Sequence, residues 1–298
     1  MKKRHFSKPI RIHLTALAFL APNLLLFLVF MLIPIGMGIV MGFFKWDGYN
    51  PAEFIGFKNF FRLFSDSGFR SSLGITFYYT LLTVPATMVL ALFFAMLLTR
   101  EIRGKGVFRA LVFFPYIASI VAVSIVWQFL YNADAGPINE ALRAVGIENP
   151  PRWTSSKDTA LIAVAVMNIW RTVGYYMVIF VAGILTIPPS LYEAAHIDGA
   201  GVWQRFRRVT LPMLSPTTFF VLVIAIINSF QAFTPIYVMT GGGPGSATQV
   251  LVFRIYEEAF VNSVFGYASA QAVVLFLIVL AFTIFQFKWQ EKNVAYLA

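Results

Sequence analysis

Cysteine is absent from the 298 residues, which rules out disulfides and thiolate metal sites and leaves redox chemistry silent about compartment. Charge is scarce: 12% of the residues are Asp, Glu, Lys or Arg, where a soluble domain carries about a quarter. Histidine occurs three times, at His5, His13 and His196, too scattered to pair on a metal, and no His-Glu-x-x-His string exists. No Gly-x-x-x-x-Gly-Lys-Ser/Thr phosphate cradle is present either, so the chain has no evident nucleotide site of its own. No linker rich in Gly, Ser or Pro divides it, and no repeat or soluble domain-sized segment is visible.

Apolar surface is abundant instead, with 59% hydrophobic residues and 32 phenylalanines. A bilayer core roughly 30 Å thick takes about 20 apolar residues per helix. Largely uncharged stretches of that length occur near residues 14–41, 73–99, 107–131, 160–187, 212–238 and 267–289. They predict an all-α membrane protein of six transmembrane helices, one transmembrane domain over residues 1–298. The apolar tract behind the basic start Met1 to Arg11 has no convincing small-residue cleavage site after it, so it reads as a retained first span. Prolines at Pro22, Pro34, Pro85, Pro115 and Pro235 fall inside the spans and permit kinks.

The location of the charges sets orientation. With the amino terminus inside, the inner segments hold 14 basic residues, including Arg100, Arg103, Lys105, Arg109, Arg205, Arg207, Arg208 and Lys288, against four acids. The longer outer loops hold eight bases, among them Lys45, Arg70, Arg152 and Arg254, against nine acids. The positive-inside rule then predicts that both termini are cytoplasmic. The net charge of +10 is accounted for by this asymmetry, apart from Arg171 within a span, so nucleic acid is not an expected partner.

One inner connection, residues 188–211, is long enough to fold. Ser190 followed by Glu193 reads as a capping box that starts a helix at Leu191. Gly199 is placed to end it, and Trp203, Phe206 and Val209 recur at helical spacing to make a second. A helix-turn-helix at the cytoplasmic surface, between the fourth and fifth spans, is the expectation.

At membrane depth no span carries Asp or Glu near its centre, which disfavours a proton-driven transporter. The central charge is Arg171, with Asn168 and Tyr175 on the same face of the fourth span. Asn228, Gln231 and Thr234 of the fifth span are its expected partners. Together they read either as a hydrogen-bond network holding the helices together or as a translocation path in which amides and hydroxyls bind a solute. Tyr175, Tyr176, Phe230 and Phe233 suit stacking on sugar faces but equally suit packing.

The string Glu193-Ala194-Ala195, three residues, Gly199, nine residues, Val209-Thr210-Leu211-Pro212 resembles the EAA loop of binding-protein-dependent ABC importer permeases. Asp198 and the run from Leu191 to Pro212 are similar to the carbohydrate branch, which includes maltose, lactose, raffinose and glycerol-3-phosphate permeases. Trp170-Arg171 with Gly174-Tyr175 before Phe180-Val181-Ala182-Gly183, and Met239 to Gly245 leading to Tyr256, extend the likeness across all six helices. Val209 stands where the shortest form of the motif has isoleucine.

The resemblance implies a multi-pass permease subunit of a bacterial inner (plasma) membrane, without cofactors, importing a sugar or sugar-like solute brought by an extracellular solute-binding protein. Its implied partners are a second homologous permease, making a heterodimer, and two cytoplasmic ATPases that hold ATP and Mg. It also implies that Glu193, Ala194, Ala195, Asp198, Gly199, Leu211 and Pro212 contact the ATPase; the small residues allow close backbone approach, and Glu193 can meet a basic partner. Arg171 keeps glycerol phosphate or another anion open as the solute, and a polyamine is the remaining alternative within the class. A membrane-embedded enzyme is the rival from another class, and neither a metal pair nor an intramembrane aspartate pair supports it.

Overall fold

The computed structural model describes residues 8–100 and 103–293. The basic residues Lys2, Lys3 and Arg4 and both chain ends lie outside them. In chain order, α1 (Lys8–Phe27) and α2 (Ile33–Met41) are joined by a π-turn, Leu28–Leu32. Strands β1 (Phe44–Lys45) and β2 (Glu53–Phe54) pair antiparallel ahead of α3 (Lys58–Ser65). Next come α4 (Ser67–Leu98), α5 (Lys105–Ile117), α6 (Ile120–Leu130), α7 (Pro137–Ala144) and α8 (Ala160–Leu185). Helices α9 (Pro189–Ile197) and α10 (Val202–Arg205) follow, then a π-turn, Phe206–Thr210, and α11 (Leu211–Met213). The chain continues through α12 (Ser215–Phe230), α13 (Thr234–Met239), α14 (Leu251–Tyr256) and α15 (Phe265–Asn293). Backbone in lipid has no water to bond, and helices satisfy it internally.

Four helical stretches are long and apolar enough to cross a membrane alone: Thr15–Met41, Ser67–Leu98, Ala160–Leu185 and Phe265–Gln290. Two bent pairs reach that length together, α5 with α6 at 97° and Val202–Met213 with α12 at 67°. By length and composition the described residues therefore hold four candidate spans, or six if each bent pair is one. The stretch 107–131 is two helices, because Ala118 and Ser119 leave the helical region with ψ of 148° and 126°. The stretch 212–238 is interrupted after Phe230. Pro235, in the first turn of α13, has no N–H to give to the carbonyl of Gln231, which disfavours a continuous helix there, although α4 does run through Pro85.

Two compact units result, one of residues up to 65 with 257–274, the other of residues 66–256 with 275 onward. In the first, the buried Asn59 amide donates to the carbonyls of Gly42 and Phe44 at 3.0 and 2.9 Å, closing the turn between α2 and β1. Phe43 sits between Phe57 and Phe60, and the Arg62 guanidinium lies 4.0 Å over the ring of Tyr267.

The second unit is built on α4 and α8, which pack along their length. Small buried residues permit that approach: Ala91 and Ala95 on α4, and Ala160, Ala163 and Ala165 on α8. Asp66 caps α4, accepting from the N–H groups of Gly68 and Phe69, and its other oxygen pairs with Arg254 at 2.9 Å. Helix α12 packs on α4 and α8, α5 packs on α8, and α13 packs on α6. Large apolar side chains such as Phe93, Phe114 and Phe129 point outward, as a lipid-facing surface requires.

Candidate functional site

The interruption between α5 and α6 and the one between α12 and α13 face a common cavity. Its volume is about 260 Å³, and about half of its wall is polar: Asn168, Arg171 and Thr172 from α8, Asn228 and Ser229 from α12, and Gln231 and Thr234 beyond it. Thr83 and Thr87 of α4, Tyr116 of α5 and Tyr176 of α8 add further polar groups, and apolar residues such as Val84, Ile120 and Phe233 make the rest. Helix α4 can offer hydroxyls here because Thr83 also bonds the carbonyl one turn back, at Tyr79, and meets Ser229 at 3.0 Å.

Arg171 is the charged residue on this wall. A helix that stops leaves its last carbonyls unbonded, and α5 stops at Ile117. Arg171 Nη2 donates to one of them, Tyr116 O, at 3.4 Å, while its guanidinium lies 5.2 Å from the Tyr116 ring centroid. A cation there also suits the negative end of the α5 dipole. Arg171 Nε is buried with no hydrogen-bond partner.

Five of the six residues expected on the path line the cavity: Asn168, Arg171, Asn228, Gln231 and Thr234. Tyr175 does not. Its ring stacks on Tyr116 at 4.5 Å, behind the wall, so it supports the site without lining it. The expected pairing of Arg171 with Asn228, Gln231 or Thr234 is also corrected: the hydrogen bond is to Tyr116, and Asn228 donates to the Tyr176 hydroxyl at 3.2 Å. Thr83, Thr87 and Tyr116 were not legible in the sequence. Hydroxyls in an apolar helix usually bond their own backbone, and Pro115 permits a kink without fixing a break three residues later, at Ala118–Ser119, where neither Gly nor Pro stands.

Replacing Arg171 by alanine leaves the half-buried Tyr116 carbonyl without this donor, a loss of about 0.5–1.5 kcal/mol. We expect uptake to fall by up to about tenfold. Lysine, which keeps the charge without the planar fork, should recover part of it. Normal uptake by an assembled Arg171→Ala complex would remove Arg171 from the transport step.

A second constellation lies on α9 to α11. Helix α9 ends in a Schellman motif: Gly199, at φ +74°, donates to His196 O at 3.0 Å, and Ala200 donates to Ala195 O at 2.9 Å. Glycine takes that conformation without a steric penalty. The capping box expected from Ser190 and Glu193 is absent. The helix begins earlier, with Pro189 at its first position, so Ser190 lies within the first turn and makes no cap bond. At the second helix only the reciprocal half of that device is made, the Gly201 N–H donating to Gln204 Oε1 at 3.1 Å, because glycine has no side chain to cap with.

Tyr192 ties the two helices together, its hydroxyl 3.1 Å from Thr210 Oγ1. Glu193, Ala194, Asp198, Gly199, Leu211 and Pro212 are exposed and Ala195 is half-buried. Among the described residues the Glu193 and Asp198 carboxylates have no hydrogen-bond or ion-pair partner. Ile197 is 86% and Trp203 69% exposed beside them. A surface of small residues, unpaired acids and bare apolar side chains has the composition of a protein contact.

A helical membrane chain with a polar cavity between broken helices and no nucleotide cradle has the makings of a solute permease driven from outside itself. The chain belongs to the family described as binding-protein-dependent transport system inner membrane component, matched over residues 65–295.

Among its relatives is the sn-glycerol-3-phosphate transport system permease protein UgpA of Agrobacterium fabrum, 36% identical over 278 residues, which cover 93% of this chain and 94% of the relative. The probable ABC transporter permease protein YurN of Bacillus subtilis is 34% identical over 275 residues, covering 91% and 94%. A bacterial alginate ABC transporter, solved in complex with an alginate pentasaccharide-bound periplasmic protein, has a chain of the same fold, with a TM-score of 0.82 and 25% identity, covering 96% of this chain and 97% of that one. The protein is therefore the inner-membrane permease subunit of an ABC importer and not an enzyme.

Proposed function

We propose that the protein imports a sugar or sugar-like solute, delivered by an extracellular solute-binding protein, through the cavity at Asn168, Arg171, Asn228, Gln231 and Thr234, with Tyr175 buttressing Tyr116. The observation that carries this is the cavity wall, where neutral amides and hydroxyls outnumber the one charge, the chemistry that binds hydroxyl groups. The names of the relatives support it, since alginate and glycerol 3-phosphate are a polysaccharide and a phosphorylated polyol. Arg171 and those same names favour an anionic member of the class as the second reading. Purified with its partners, the importer should hydrolyse ATP faster when the binding protein carries a carbohydrate or polyol. Stimulation confined to a solute without hydroxyl groups overturns the reading.

The wider assembly belongs to the same proposal. A single transmembrane domain crosses the membrane six times, both termini inside, and pairs with a second homologous permease. Two ATPases hold ATP and Mg, leaving this chain without a cofactor. The 188–211 loop is the coupling element, docking through Glu193, Ala194, Ala195, Asp198, Gly199, Leu211 and Pro212. The basic asymmetry supports the topology. Cysteine-labelling in intact cells should reach the 134–157 loop from outside and Arg205 only after permeabilisation; the opposite pattern overturns it.

A further inference from the structure

A second cavity, of about 440 Å³, lies where the ends of α4 and α8 meet the helices of the 188–211 loop. Its walls are divided by chemistry. Ile184, Leu185 and Phe206 make an apolar floor, continued outward by Phe93 and Leu97 on the same end of α4, which are exposed. Arg100, exposed, and Arg205, half-exposed, supply two positive charges, and the hydroxyls of Thr99 and Tyr192 stand among them. No acidic side chain lines this cavity among the described residues, and neither arginine has an ion-pair partner among them.

Two unpaired guanidiniums over an apolar slot match a molecule with an anionic head and a hydrocarbon tail. Arginine reads phosphate oxygens through paired N–H groups, and basic pockets between membrane helices hold acidic lipid headgroups. Leu185, at the end of α8, is 67% exposed, so an apolar chain lying in this slot is not closed off by the protein at that residue. We propose that this cavity is a binding site for one anionic phospholipid, its phosphate between Arg100 and Arg205 and its chain along Ile184, Leu185 and Phe206. The lipid fills the space between the membrane helices and the loop. The site is independent of which solute is carried and requires only that α4 and α8 are membrane helices.

Native mass spectrometry of the complete detergent-purified importer, supplied with equal amounts of phosphatidylglycerol and phosphatidylethanolamine, tests it. Phosphatidylglycerol should be retained preferentially, and retention should fall about fivefold for each arginine removed in R100Q and in R100Q/R205Q. L185E, which keeps both arginines but puts a charge on the slot, should lose the lipid as well. Equal retention of the two lipids, wild-type retention by R100Q/R205Q, or displacement by millimolar inorganic phosphate overturns the proposal, the last because a free anion would then be the ligand. Arg100 is exposed, so R100Q alone serves if the double variant is unstable.

Discussion

Replacing Gly199 by valine is expected to abolish coupled uptake while leaving the membrane helices folded. An added Cβ at Gly199 meets no atom within 4 Å, so nothing in the chain obstructs the side chain itself. The penalty is in the backbone. At φ +74° a β-branched residue is strained by about 1–3 kcal/mol or more, and relief requires breaking the two hydrogen bonds that close α9. A nine-residue helix has little propensity to survive that alone.

Asparagine, which tolerates the left-handed conformation, should retain most of the function. Glu193→Ala should be the milder change, since its carboxylate caps nothing and can act only through a partner. Co-purification of the ATPase with each variant, together with uptake in vesicles, reads the effect. Normal assembly and coupled transport by Gly199→Val would show that this loop does not transmit the ATPase's movement.

Gly174→Val is the second large effect, and it is expected on folding. At Gly174, α8 lies against the backbone of α5. A Cβ there would be driven into the carbonyl of Val112 and to 2.7 Å from Phe113 Cα. Neither obstacle is a side chain that can turn aside. Overpacking a core position costs about 1–3 kcal/mol even when side chains can move, so a backbone collision should exceed that range. The helix carrying Tyr116 would be pushed from Arg171, three residues from the substitution. Gly74→Val is the control, because a Cβ at Gly74 meets nothing within 4 Å. Size-exclusion profiles and thermal unfolding of the two variants should diverge, the Gly74 variant eluting as the parent does and the Gly174 variant largely lost. A Gly174→Val protein with the parent's melting temperature would refute the tight α5–α8 approach.

Composition and charge placement sufficed to define a helical membrane chain, because a bilayer admits few solutions for backbone polar groups and scarce charge has few places to stand. The turn at Gly199 was legible for a similar reason: the left-handed closing conformation belongs mainly to one residue type, and the structure has it there. So was most of the cavity, since amides and a lone arginine at membrane depth must face protein or water.

Only the tertiary structure decided the rest. Tyr175 shares a helical face with Arg171, yet its ring is drawn to Tyr116 on α5, a partner that helical periodicity cannot name. The carbonyl that Arg171 bonds is available because α5 ends at Ile117, a break marked by no proline or glycine at the break itself. The start of α9 moved ahead of Ser190, so a local cap signal went unused. Sequence patterns report what one helix asks of its surroundings. Which neighbouring backbone answers is fixed by packing, here by the small residues that bring α8 against α4 and α5.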